Sequence, residues 1–312
     1  MDWQAPPDEL TLEPNDVHIW QARLDVPPAQ VKVFAQTLSA DEHKRARRFK
    51  FEVHRDRFIA GRGILRLLLS RYLGCSPDGL TFGYALHGKP MLLSVQRSQF
   101  DSQPSQFDSQ PSQFDSQPLQ LDCQPSQFDS QPSQLDCQPS QFDSQPSQFD
   151  SQPSHLDCQS LQFNVAHSQD FALYAFSRDR LVGIDVEQIR PVDNLESLTR
   201  RFFLPSEHAA ICSADPDAQA RLFFRYWTCK ESFLKATGDG LGKLGELEIA
   251  LPMAQAAQLK RLPADQQIQD WHLQELDLGE FVGAISAKRN LEKTTATLPG
   301  QSLNLRQFSF FS

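Results

Sequence analysis

Nine consecutive heptads of the pattern Ser-Gln-Phe-Asp-Ser-Gln-Pro run from Ser98 to Ser160. A period of seven suits a coiled coil, but eight of the nine heptads end in Pro, which rules out a continuous helix. With about one large apolar side chain per heptad, no Lys or Arg, and abundant Ser, Gln and Pro, the segment cannot bury enough surface to offset the entropy lost on ordering. The reading is a disordered insertion over 98–160. It divides the chain into an N-terminal lobe, 1–97, a C-terminal lobe, 161–290, and a polar tail, 291–312.

The repeat also carries the charge. Its nine aspartates, Asp101 to Asp157, account for the formal charge of −9, because the rest of the chain sets 30 Lys and Arg against the other 30 of 39 acidic residues. The acidic pI therefore describes the insertion and not a partner of the folded body. That body has no net positive charge and no basic stripe interleaved with aromatic residues, which argues against nucleic acid. The six cysteines lack zinc spacing, and no disulfide framework is expected. Met1 to Pro14 is acidic without an apolar core, and no run approaches the roughly 20 apolar residues of a membrane span. A cytoplasmic, monomeric protein away from membranes is expected.

Outside the repeat, strand-like and helix-like patterns alternate. Val17 to Leu24 reads as a strand, Ser39 caps a basic helix through Phe49, and a longer helix runs from about Val53 to Leu73 with Gly74 as its stop. Short strands follow at Thr81–Tyr84 and Met91–Leu93. Beyond the insertion, 163–166, 171–176 and 181–187 read as a meander, helices follow near 195–203 and 216–237, and strands return at 271–276 and 281–287. The longer helix has Asp215 as N-cap, Pro216 at its first position and Gly238 as its stop.

Two acidic groups stand out in this pattern. In Gly183-Ile184-Asp185-Val186-Glu187, alternation points Asp185 and Glu187 to one face, roughly 7 Å apart at Cβ from the strand rise. Two carboxylates this close repel unless a cation joins them, and hard oxygen ligands suit Mg²⁺. The second group lies in Trp227-Thr228-Cys229-Lys230-Glu231-Ser232-Phe233-Leu234-Lys235. At 100° per residue Glu231 shares a narrow sector with Phe224, Trp227 and Leu234, so its charge needs a partner, either Lys235 at i+4 or an external cation. A further cluster, Lys44, Arg45, Arg47, Arg48, Arg55, Arg57 and Arg62, could hold a phosphate-rich ligand.

These motifs, with Arg201-Phe202-Phe203-Leu204-Pro205-Ser206-Glu207 between the acidic groups, resemble in order and spacing the surfactin-type 4'-phosphopantetheinyl transferases. Gly88-Lys89-Pro90 is similar to the segment lying against the adenosine of coenzyme A. Phe163-Asn164-Val165-Ala166-His167-Ser168 is similar to the segment whose His meets the pyrophosphate. The resemblance covers roughly 15–97 and 161–290, and it implies two pseudo-symmetric α+β lobes with the active site between them.

The implied activity is transfer of 4'-phosphopantetheine from coenzyme A to a serine of an apo acyl, aryl or peptidyl carrier protein, with release of adenosine 3',5'-bisphosphate. By the same resemblance Asp185, Glu187 and Glu231 hold Mg²⁺, while Glu231 and Lys235 are catalytic. Arg45, Arg57, Arg62, Gly88, Lys89, Pro90, His167 and Lys235 contact coenzyme A. The carrier's pathway, whether fatty-acid, polyketide or nonribosomal-peptide synthesis, stays open. Ala166 departs from the family's usual Ser, and Glu42 stands near where relatives carry a phosphate-binding Lys. The rival reading is a non-catalytic relative that still grips coenzyme A or a carrier protein.

Overall fold

The computed structural model describes residues 3–85, 88–96, 160–289 and 303–311. The repeat from Ser98 to Gln159 and the segment 290–302 lie outside the described residues, and with them the expectation of a disordered insertion.

The chain runs through one sequence of elements twice. The first pass is β1 (Asp16–Arg23), α1 (Pro28–Gln36), α2 (Ala40–Ala46), α3 (Glu52–Leu73), a 3₁₀ turn at Pro77–Gly79, the hairpin β2 (Leu80–Tyr84) and β3 (Pro90–Val95), then β4 (Leu161–Ser168) and β5 (Phe171–Arg178). The second is β6 (Val182–Gln188), α4 (Leu195–Phe202), α5 (Pro205–Cys212), α6 (Pro216–Thr237), a 3₁₀ turn at Leu241–Glu246, the hairpin β7 (Glu248–Ala250) and β8 (Gln258–Arg261), then β9 (Trp271–Leu278) and β10 (Phe281–Lys288). A last strand, β11 (Asn304–Ser309), follows.

Sheet order repeats as well. One sheet runs β11-β1-β5-β4 and the other β6-β10-β9, so each half places its third strand between the first and second. Register agrees: Val17 faces Ser177 as Val182 faces Ala287, and Tyr174 faces Val165 as Ala284 faces Glu275. Both long helices have 22 residues and stop at a left-handed glycine, Gly74 (φ 59°) and Gly238 (φ 83°). This is the expected α+β architecture of two pseudo-symmetric lobes.

Each long helix buries one stripe on its own sheet. Ile64, Leu68 and Tyr72 of α3 join Trp20, Phe163, Tyr174 and Phe176 in one core, while Phe224, Phe233 and Leu234 of α6 join Trp271, Val282 and Ala284 in another. The outer faces of the two sheets then meet, Val17, Ile19, Leu173 and Ala175 against Val182, Ile184, Val186 and Ile285. Burial on both faces explains why the central strands β5 and β10 read as nearly continuous runs of apolar and small residues.

Three expectations need correction. Only the first pair of the meander over 163–187 forms: β4 pairs with β5, but the other edge of β5 pairs with β1, and β6 pairs with β10. The lobe boundary therefore falls between Arg178 and Val182 rather than at 161, and the repeat interrupts the first half from within. Phe163, Tyr174 and Phe176 settle the matter by completing the core under α3. The polar tail 291–312 ends in β11, parallel to β1, where Phe308 packs 4.8 Å from Trp20 and 5.2 Å from His18 between ring centroids. The helices α1 and α5 and the β7–β8 hairpin are additions to the elements legible in the sequence.

Candidate active site

Gly183 sets the distance between β6 and α6. A Cβ there would collide with the backbone of Ser232 and Ala236, so only glycine lets the helix lie this close to the strand. The approach brings the α6 side chains onto the β6 face that carries Asp185 and Glu187. Lys235 Nζ donates to Asp185 Oδ1 at 2.6 Å, and the other oxygen, Asp185 Oδ2, is buried without a hydrogen-bond partner. Glu187 Oε2 accepts from Ser168 Oγ at 2.8 Å and from Arg190 Nη1 at 3.1 Å.

Charge is unfavourable in this place, and the pKa values follow. Burial pushes the Asp185 carboxyl up, with Lys235 opposing and Glu187 adding to the rise. Burial, and then Asp185 and Glu187, raise Glu231 to about 7, against which Lys235 works. Burial disfavours the Lys235 ammonium, yet Asp185, Glu231 and Glu187 outweigh it and hold the lysine above its ordinary value. Lys235 thus stands among three carboxylates, one of which, Glu187, also pairs with Arg190. Among the described residues no three His, Cys, Asp or Glu side chains are gathered closely enough to hold a metal ion as they stand. The donor set nonetheless fits a hard divalent cation: Asp185 presents an oxygen with no partner, and the neighbouring carboxylates add to the cost of charge on Asp185 and Glu231.

Beside this group a cavity of 620 Å³ opens in the first half, lined by Arg45, Arg57, Arg62, Pro90, His167 and Ser168 among others. Helix α3 supplies Arg57 and Arg62, and β4 supplies His167 and Ser168. Ser168 both lines the cavity and binds Glu187, so the cavity and the carboxylates are continuous. The His167 ring stands at the cleft, held below the ordinary imidazole pKa by the surrounding protein and then by Lys235. Arg57 makes a two-pronged pair with Asp25, at 2.5 and 2.7 Å, which raises its pKa. Arg45 lies over the rings of Phe58 and Tyr84, at 5.5 and 5.6 Å. Arg62 donates to Tyr84 Oη at 3.1 Å and sits 3.3 Å from Glu42, while its Nη1 is buried with no partner. That free donor in a basic cavity suits a phosphate oxygen.

Other expected residues go elsewhere. Pro90 lines the cavity, but Gly88 and Lys89 do not. The Lys89 ammonium points to the end of α6, bonding the carbonyl of Lys235 at 2.7 Å. Lys230, inside the α6 motif, faces away from the carboxylates and pairs with Glu207 of α5 at 2.6 Å, both fully buried. Nor is Glu42 a lost phosphate ligand. It caps α2 by accepting from Ser39 N and pairs with Arg66 at 2.8 Å. Sequence reasoning missed Ser168 as a link to Glu187 and Gly61 as part of the cavity wall. A glycine inside a helix was the available signal for the latter, since it costs about 1 kcal/mol and needs a reason.

A cavity lined by Arg45, Arg57 and Arg62 thus ends beside Asp185, Glu187, Glu231 and Lys235. The 4'-phosphopantetheinyl transferase superfamily model matches residues 181–286. The 4'-phosphopantetheinyl transferase HetI of Nostoc sp. is 38% identical over 274 residues, 88% of this chain and 88% of that protein. Shorter matches join it: AcpT of Salmonella typhi, 37% identical over 30% of this chain and 48% of that one, and Sfp of Bacillus subtilis, 38% identical over 25% and 34%. The chain belongs to the 4'-phosphopantetheinyl transferase superfamily. It is an enzyme that transfers phosphopantetheine from coenzyme A to a serine of an apo carrier protein.

Proposed function

We propose that the chain is a surfactin-type member of this family, with both halves of the site on one polypeptide and Mg²⁺ required for turnover. The observation that carries the reading is the junction at Ser168, where the arginine-lined cavity meets Asp185, Glu187, Glu231 and Lys235. In this reading Arg45, Arg57 and Arg62 hold the phosphates of coenzyme A, and His167, neutral at pH 7, donates to the pyrophosphate. Lys235 steadies the same oxygens. Glu231, with a pKa near neutrality, takes the proton of the carrier serine as its oxygen attacks the β-phosphorus. Adenosine 3',5'-bisphosphate leaves with the pair of electrons of the broken P–O bond. Asp185, Glu187 and Glu231 would hold Mg²⁺, which when bound supplies positive charge to the pyrophosphate. No described helix is long and apolar enough to cross a membrane.

The test is incubation with coenzyme A and a panel of apo carrier proteins, with and without Mg²⁺, read as intact carrier mass. Mass gain by one phosphopantetheine, lost on chelation, is the expected result. Calorimetry adds a second readout: Mg²⁺ should tighten coenzyme A binding in the parent protein and leave it unchanged in Asp185→Ala. Equal binding with and without chelator in the parent would remove the metal from the reading.

A further inference from the structure

Lys89 lies outside the cavity wall and reaches the end of α6. It sits in the β2–β3 turn, whose tight geometry is closed by Gly88 N donating to Ala85 O at 2.8 Å and Ala85 N donating to Lys89 O at 2.9 Å. Gly88 has φ 80°, which an L side chain adopts only with strain, and the Lys89 side chain beyond it runs in one direction. That direction leads out of the first half. Lys89 Nζ donates to Lys235 O at 2.7 Å, and lies 3.4 Å from Val182 O and 3.5 Å from Ala236 O.

These acceptors identify its task. The last four carbonyls of a helix have no partner inside it, and α6 ends at Thr237. Gly238 N satisfies Leu234 O, and Lys89 serves the next two carbonyls, Lys235 O and Ala236 O. A cation at a helix C-terminus also meets the negative end of the helix dipole. Val182 O, the third acceptor, belongs to the strand that carries Asp185 and Glu187.

We propose that Lys89 is a positioning residue: its ammonium group, reaching across from the first half, pins the end of α6 to the start of β6 and so fixes Lys235 and Glu231 opposite Asp185. The inference rests on the reading in which Glu231 and Lys235 act on the pyrophosphate and the serine. Geometry argues against the alternative, in which Lys89 touches coenzyme A. Its side chain does not line the cavity, and its three acceptors are all backbone carbonyls of the second half. Burial lowers its pKa to about 8, which keeps it mostly charged at neutral pH while no carboxylate is among the causes of the shift.

Lys89→Met, which keeps the aliphatic stem and loses the donors, and Lys89→Arg, which restores charge and donors, are the informative variants of the full chain. Three quantities are measured: kcat for transfer, Kd for coenzyme A, and amide hydrogen exchange of residues 234–238. For Lys89→Met, kcat should fall roughly ten- to hundredfold, the scale of a small displacement of reacting groups, with Kd within about twofold and faster exchange at the end of α6. Lys89→Arg should recover a good part of kcat and of the exchange protection.

A Kd that rises as kcat falls, with exchange unchanged, would make Lys89 a ligand contact and overturn the proposal. So would a lower melting temperature with kcat per folded molecule intact, which is the mark of a purely structural lysine. If Lys89→Met does not fold, Lys89→Gln, with one donor left, is read by the same criteria. Glu231→Gln serves as the reference: when it abolishes transfer and Lys89→Met does not, only the positioning role fails, whereas full activity in both defeats the reading of the site itself.

Discussion

Glu231 occupies a helix sector shared with aromatic residues and faces two other carboxylates, and its pKa of about 7 follows from that placement. The shift has a consequence for stability. In the unfolded chain Glu231 titrates near 4.5 and in the folded one near 7, so between these values the folded state holds more protons and stability falls as pH rises. The total is on the order of 3 kcal/mol at about 1.4 kcal/mol per pH unit. Without divalent cations, Glu231→Gln should therefore melt at nearly the parent temperature at pH 4 and well above it at pH 8, by calorimetric scan. A constant difference across that range would mean that the carboxylate is not strained. The same variant should lose at least about a hundredfold in kcat, the scale of a missing general base, and near-parental turnover at saturating Mg²⁺ would reject its role. Asp185 and Glu187 were readable because strand alternation fixes their face. The site of Lys89 action was not, because a lysine in a turn has no period and its reach of several ångströms can end on either side of a cleft.

At the scale of elements, α3 and α6 share a brace that explains two conspicuous motif residues. Arg66 and Lys230 are each the fifteenth residue of a 22-residue helix. Each pairs with a buried glutamate of the preceding helix, Glu42 at 2.8 Å and Glu207 at 2.6 Å. Each glutamate also accepts from the backbone N–H that opens its own helix, Ser39 N and Leu204 N, both at 2.9 Å. Each cation donates to two carbonyls of the following 3₁₀ turn region: Pro77 and Leu80 for Arg66, Leu244 and Leu247 for Lys230. Repetition in both halves, only one of which carries the carboxylates, marks the brace as structural. Lys230→Met should thus destabilise the fold by about 3–5 kcal/mol in urea, the cost of stranding a buried Glu207, while kcat of the folded fraction stays within a few-fold. A stable Lys230→Met protein with weakened coenzyme A binding would instead return Lys230 to the site. The long helices and most strands of this scheme could be read from period and stops. The brace could not, since a buried lysine beside Glu231 reads like a surface charge until its partner 23 positions away in sequence is folded against it.

Across the whole molecule the two halves differ in what fills corresponding places. The first half keeps Gly61, Val165 and His167 around an open cavity, whereas the positions equivalent by helix position and strand register in the second half hold Arg225, Glu275 and Asp277. There Arg225 pairs with Glu275 at 2.7 and 3.0 Å, and Arg221 with Asp277 at 2.7 Å, so ion pairs occupy the place of the open cavity in the other half. One duplicated scaffold thereby yields one site, with its cavity from one copy and its carboxylates from the other. The β8–β9 connection is the short stretch 262–270, while the equivalent β3–β4 connection spans 96–160 and contains every heptad. Both of its ends are tied to the body, Gln96 N to Gly79 O at 2.9 Å and Ser160 O to Asp179 N at 2.7 Å, so the anchors hold whatever length lies between them. Shortening a connection from about 65 to about 10 residues recovers only (3/2)RT ln 6.5, roughly 1.7 kcal/mol, if the loop is flexible. The repeat's nine aspartates act at longer range, by repelling a carrier protein if that partner is acidic, an effect screened beyond about 8 Å at physiological salt. Replacing Ser98–Gln159 with a ten-residue Gly/Ser link should therefore raise the melting temperature slightly, keep kcat within a few-fold, and lower KM for an acidic carrier at low salt alone. A replacement that folds and binds coenzyme A but no longer transfers phosphopantetheine would show that the heptads belong to the working enzyme, because neither loop entropy nor screened charge can remove turnover.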